Sequence, residues 1–179
     1  MAVNTHLRRW YLVGFIVLIV AVIASFAIRT ALHVDSPGIE IVSLEGTTRT
    51  VTLPMMKRMP TLKREGTYQN QFNNWRDKGT YTGVRLSDLI GSEVDYTSIR
   101  VVAADGYDLS IDRERVEDPD YPMILAYAFD DVEVPAWQMG FRIAVLPEDG
   151  AVSNAEYNTT SAGSFWVQNV TKIILQSGV

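Results

Sequence analysis

Residues 98–111 read Ser98-Ile99-Arg100-Val101-Val102-Ala103-Ala104-Asp105-Gly106-Tyr107-Asp108-Leu109-Ser110-Ile111. Ser98 to Ala103 is rich in β-branched residues and predicts a strand. Its unbroken Val101–Ala104 run predicts a buried one. Asp105-Gly106 is a tight-turn pair, because glycine takes the positive φ such turns need. Tyr107 to Ile111 then alternates apolar and polar and pairs back.

The flanks repeat this short-strand pattern. Toward the C-terminus, Asp112–Val116 predicts a helical turn, and Pro119 and Pro122 keep the chain beyond it from continuing as a helix. Met123–Phe129 (MILAYAF) is a strand or a short helix, since a continuous apolar run fits either. Phe141–Leu146 is a strand ending at Pro147, and Phe165–Leu175 is a long closing strand. Toward the N-terminus, Val84–Ile90 predicts a short helix stopped by Gly91. Gly66–Gly79 (GTYQNQFNNWRDKG) is polar and aromatic without a strong period. Pro54–Pro60 predicts a short helix with proline in its first turn. Ile39–Leu44 and Thr48–Leu53 predict a hairpin across Glu45-Gly46. Short strands with very short helices give a β-dominated α+β domain over residues 38–179.

Ahead of this domain, Trp10–Ile28 (WYLVGFIVLIVAVIASFAI) holds 19 residues without a charge. As a helix it spans roughly 28 Å, close to the hydrocarbon core of a bilayer. Trp10 and Tyr11 suit the interface. Arg8 and Arg9 against Arg29 favour an inside N-terminus. The expected layout is a cytoplasmic N-terminus over residues 1–9, a transmembrane helix over 10–29, a linker over 30–37 and an extracytoplasmic domain thereafter. A cleaved signal peptide is the rival, but its apolar region is usually shorter and no clean Ala-x-Ala site comes after the block.

Composition narrows the chemistry. The chain has 179 residues, a net charge of −5 and no cysteine, which excludes disulfides, thiol catalysis, iron–sulfur clusters and Cys-type zinc sites. The two histidines, His6 and His33, leave almost nothing for a His-based metal centre or a Ser-His-Asp triad. All 21 acidic residues lie at or beyond Asp35, against 13 Lys and Arg there, a net of −8. That sign argues against a nucleic-acid partner. From Arg49 to Arg85 there are 8 basic and 2 acidic residues, and from Asp105 to Glu156 there are 3 and 13. The basic stretch, interleaved with Tyr68, Phe72 and Trp75, suits an anionic ligand or acidic partner; the alternative is two solvated faces.

Taken in order, TLPMMKRMP (from Thr52), TYTGVRLSDLI (from Thr80), IRVVAADGYDLSI (from Ile99), ILAYAFDD (from Ile124), GFRIAVLP (from Gly140) and FWVQNVTKI (from Phe165) resemble the molybdopterin-binding domain of the sulfite oxidase family. The most specific pieces are Tyr81-Thr82-Gly83-Val84 with Leu86 and Leu89, Asp105-Gly106-Tyr107, Leu125-Ala126-Tyr127 and Gly140-Phe141-Arg142. The resemblance covers about Gly38 to Leu175. It implies a sulfite-oxidase-like fold and a pterin-bound molybdenum held by one cysteine thiolate, a soft ligand suited to that metal. The corresponding segment lies near Thr67-Tyr68-Gln69-Asn70, and no cysteine stands there or anywhere.

By the same resemblance, Tyr107 matches a tyrosine beside the metal and is the one catalytic candidate. Arg142 matches an arginine suited to phosphate or carboxylate. Trp166 matches a tryptophan near the last strand, and Phe165 stands where lysine is common. The implied cofactor site uses Gln69, Asn70, Trp75, Tyr107, Arg142 and Trp166, with no metal ligand. Two readings stay open. One is a degenerate module binding a ligand, or a membrane-protein or surface partner. The other is an active pterin and molybdenum oxidoreductase with a non-cysteine metal site.

The remaining motifs have simpler readings. The amide run Gln69, Asn70, Gln71, Asn73 and Asn74 suits a polar ring, or else satisfies its own backbone. Met55, Met56 and Met59 are expected to form one core face of a short helix. Asp105, Asp108 and Asp112 lack calcium-loop spacing. Asn158-Thr159-Thr160 and Asn169-Val170-Thr171 fit N-glycosylation acceptors, with Asn169 expected to be occluded in a strand.

Overall fold

The structure, a computed structural model, describes residues 36–91 and 95–178. In chain order its elements are β1 (Gly38–Val42), β2 (Thr48–Thr52), α1 (Leu53–Met56), β3 (Thr61–Gln69), β4 (Trp75–Arg85) and α2 (Leu86–Ile90). Next come β5 (Ser98–Ala103), β6 (Asp108–Asp112), α3 (Arg113–Val116), β7 (Met123–Phe129) and β8 (Val132–Glu133). The chain closes with β9 (Arg142–Val145), β10 (Ala151–Val152), a 3-10 turn (Ala162–Phe165) and β11 (Val170–Gln176). The transmembrane helix expected over residues 10–29, with the residues before it and most of the linker, lies outside the described residues. Among the described residues no helix is long and apolar enough to cross a membrane.

Two mixed sheets result. The first runs β2-β1-β11-β5-β6, with β1 and β11 parallel and the other pairs antiparallel. The second runs β10-β3-β4-β7-β8, with β10 and β3 parallel and β9 also paired to β7. One cluster of buried side chains draws on both, including Ile39, Ile99 and Ile173 from the first sheet and Tyr81, Leu125 and Ile143 from the second. α1 contributes Met56, and α2 contributes Leu86 and Leu89.

The hairpin of β5 and β6 turns through Gly106 at φ 86°, as its Asp-Gly pair implies. The β1–β2 hairpin turns at Gly46, and Gly91 ends α2 at φ 79°. MILAYAF resolves as a strand. β4 pairs with one edge of it and β9 with the other, and all but its last residue are buried.

Several expectations need correction. β5 is not buried along its whole length: Val101 and Ala103 face the core while Arg100 is exposed, because one face of this sheet is open. Gly66–Gly79, which the sequence leaves without a period or an element, is the outer half of the long β3–β4 hairpin. Its period is obscured by a register shift between Gly66 and Tyr68. The last strand begins at Val170 rather than Phe165. The 3-10 turn ends at Trp166, whose amide donates to the Gly163 carbonyl at 3.1 Å, and Asn169 takes φ 50°. Asn169 is therefore exposed and precedes the strand.

Candidate functional site

Arg142 opens β9 opposite Ala126 of the central strand, so its side chain enters the core at 3% exposure. A buried guanidinium needs a counter-charge. Asp77 supplies it from β4: Arg142 Nη2 donates to Asp77 Oδ2 at 2.6 Å and reaches the Tyr68 hydroxyl at 3.3 Å. Tyr68 Oη in turn donates to the same carboxylate oxygen at 3.0 Å, and Tyr81 Oη donates to the Asp77 carbonyl at 2.8 Å. Asp77 sits at φ 52°, a kink that turns both its carboxylate and its carbonyl toward this cluster.

Aromatic rings box the ion pair. The guanidinium carbon lies 5.5 Å from the Trp166 ring centre, 5.7 Å from Tyr68 and 5.9 Å from Tyr81, within cation–π range. The rings touch one another in a row. Tyr68 and Trp166 are 4.8 Å apart between centres, Trp166 and Tyr81 5.0 Å, and Tyr81 and Trp137 6.2 Å. Glycines make this possible. A Cβ on Gly66 would stand 2.5 Å from Leu146 and 2.9 Å from Trp166, and one on Gly163 would stand 2.5 Å from the Tyr68 ring. Two buried donors of the cluster, Arg142 Nε and Trp166 Nε1, have no partner among the described residues. Burial pushes the phenols of Tyr68 and Tyr81 up, with Arg142 opposing the rise in both.

The cavity beside this cluster is small, about 110 Å³, and is lined by Asp77, Tyr81, Phe129, Trp137, Met139 and Arg142. A larger hollow of about 280 Å³ lies elsewhere, on the first sheet, between Ile41, Arg49, Ile90 and Leu175. Tyr107 does not line the smaller cavity. It sits after the β5–β6 turn at 47% exposure, its backbone amide held by Asp105 Oδ1 at 2.9 Å and its hydroxyl 3.5 Å from the Ser164 carbonyl.

Gln69 and Asn70 fall at the tip of the β3–β4 hairpin, and their amides serve the backbone. Asn70 Oδ1 accepts from the amides of Phe72 and Asn74, each at 3.0 Å. Gln69 Oε1 accepts from the Asn154 amide at 2.9 Å. Asn154 Nδ2 donates to the Asn70 carbonyl at 2.8 Å and Asn73 Oδ1 at 3.0 Å, while its Oδ1 accepts from Ala162 at 2.7 Å. Phe72 and Trp75 stand out from this braced tip at 72% and 48% exposure.

The structure thus joins Arg142 to Trp166, and Gln69 to Asn70, and leaves Trp75 and Tyr107 exposed. It adds two residues the sequence did not single out, Asp77 and Asn154, and brings Tyr81, read in the sequence only as part of a family motif, into the cluster. Asp77 lies 65 positions before Arg142 and Asn154 lies 84 after Asn70, so no local signal ties them.

A soft metal does not fit here. The chain offers no thiolate, and no group of three His, Cys, Asp or Glu among the described residues is placed to hold a metal ion. An enclosed pterin does not fit either, because small-molecule pockets run to about 300–1,000 Å³ and the hollow beside Arg142 is about 110 Å³.

No family model and no curated protein matches the chain. Among solved structures it is similar to the sulfane dehydrogenase SoxCD from Paracoccus pantotrophus, at 15% identity over 79% of this chain, with a TM-score of 0.58. The chain spans 38% of the length of that protein's matched chain. At this identity the likeness is one of fold: the β-dominated α+β arrangement of mixed sheets is shared.

Proposed function

We propose that the chain is a single-pass membrane protein whose extracytoplasmic domain keeps a sulfite-oxidase-type molybdopterin-binding fold as a ligand- or partner-binding module, without molybdenum chemistry. One observation carries this reading. Arg142, the residue the family resemblance assigns to the anionic cofactor, is engaged by Asp77 at 2.6 Å and enclosed by Tyr68, Tyr81 and Trp166. The cleft is filled by the protein's own side chains, and no thiolate stands ready for the metal. The contact face is then the braced hairpin tip, where Gln69 and Asn70 hold the backbone and Phe72 and Trp75 face outward. Exposed aromatics on a rigid support are suited to anchoring a partner. Tyr107 and Trp166 lose the catalytic and cofactor roles of their family counterparts.

Metal analysis of the purified full chain, with pterin fluorescence after denaturation, tests this. Neither molybdenum nor pterin is expected. Stoichiometric molybdenum would establish the alternative, an oxidoreductase holding its metal through oxygen or nitrogen. Protease treatment of intact cells tests the orientation: the domain is expected to be cut from outside.

A further inference from the structure

The row Trp137, Tyr81, Trp166 and Tyr68 is more than packing, because its polar ends are unequal. Trp166 Nε1 is buried and has no acceptor among the described residues. A tryptophan radical cation formed there has no base to take its proton, so its charge remains free to move on. It also lies beside the Arg142 guanidinium, 5.5 Å from the ring centre, which disfavours a second positive charge. Tyr81 donates to a backbone carbonyl, a very weak base, and so bridges without trapping. Tyr68 differs from both. Its hydroxyl donates to the Asp77 carboxylate at 3.0 Å, and a carboxylate can accept a proton. At the other end, Trp137 lines the small cavity next to Met139, which is 42% exposed.

We propose that this row is a path for one-electron oxidation, leading from Trp137 through Tyr81 and Trp166 to a stable radical on Tyr68. The oxidant is a one-electron acceptor of the metal-complex or oxygen-radical class, met at the Trp137 end. It gains one electron and Trp137 becomes a radical cation. The vacancy crosses the Tyr81 ring, which serves as a bridge and keeps both its electron and its proton, to Trp166, and Trp137 is restored as Trp166 gives up its electron. At the end Tyr68 loses its electron to Trp166 and its phenolic proton to Asp77. The products are a neutral tyrosyl radical, a protonated Asp77 and the reduced oxidant. The guanidinium of Arg142 keeps its charge throughout. The path needs only these rings and Asp77, and it stands whether or not the domain binds a partner at its hairpin tip.

The absence of native cysteine gives a clean test. The full chain carrying Met139→Cys is labelled at that one thiol with a ruthenium photosensitiser and flashed in the presence of an electron acceptor. Electron paramagnetic resonance is expected to show a neutral tyrosyl radical. Tyr68→Phe should abolish that signal and leave a tryptophan radical. Asp77→Asn should also abolish it, by removing the proton acceptor. A tyrosyl signal that survives Tyr68→Phe at full strength would overturn the proposal. If either variant fails to fold, 3-fluorotyrosine installed at position 68 alone keeps ring and hydroxyl in place. A changed hyperfine pattern then supports the assignment, and an unchanged one refutes it.

Discussion

Arg142 shows how a single buried charge constrains its surroundings. Its side chain is 3% exposed, while its partner Asp77 is 35% exposed, so the two ends of the pair carry different risks. Removing Asp77 strands a cation in the core. Removing both charges leaves a gap that apolar atoms can fill, and such replacements are often near neutral. Asp77→Ala is therefore expected to cost about 3 kcal/mol, near the low end for a broken buried pair because water reaches the carboxylate. The double variant Asp77→Ala with Arg142→Met should recover much of that loss. Urea unfolding of the wild type, both single variants and the double variant gives the coupling directly. Additive losses would mean that the pair is not coupled.

Among the elements, the hairpin of β3 and β4 depends on one side chain far along the chain. Asn154 is 8% exposed and bonds the Gln69 side chain, the Asn70 carbonyl, the Asn73 side chain and the Ala162 amide. Asn154→Ala removes three of these bonds and leaves the Ala162 amide without its acceptor. The expected cost is about 2 kcal/mol. Hydrogen exchange should locate it: faster exchange at residues 70–74, with β7 unchanged. Uniform acceleration across the domain would refute this local role. The same hairpin marks the limit of what is legible in the sequence. Elements set by local chemistry are readable, such as the Asp105-Gly106 turn and the Gly91 stop. MILAYAF is ambiguous because a central strand buried on both faces loses the two-residue period. The β3–β4 hairpin escapes a local reading because a register shift near Gly66 interrupts its alternation and its turn is built from amides rather than glycine. At the site, Arg142 and Trp166 are found through a resemblance. Asp77 and Asn154 are not, since the partners that give them their roles, Arg142 for the one and Asn70 for the other, lie 65 and 84 positions away.

At the scale of the whole molecule, burying so many phenols in the domain has a consequence at high pH. Tyr68, Tyr81, Tyr96 and Tyr157 all have pKa values raised first by burial. Tyr96 is pushed up to about 12 from the ordinary 10, and its hydroxyl donates to Glu117 Oε1 at 3.0 Å, which adds to the rise. The folded chain therefore holds these protons more tightly than the unfolded chain does. Between pH 10 and about 12 the unfolded form releases a Tyr96 proton that the folded form retains. Stability is complete below that window and falls as pH rises through it. Phenolate absorbance and circular dichroism recorded through one alkaline titration test this. A fraction of the tyrosines should ionise only as the β signal disappears, and Tyr96→Phe should make the loss of stability with pH less steep. If every phenol ionised while the sheet signal stayed intact, the buried rings would not be coupled to folding in this way.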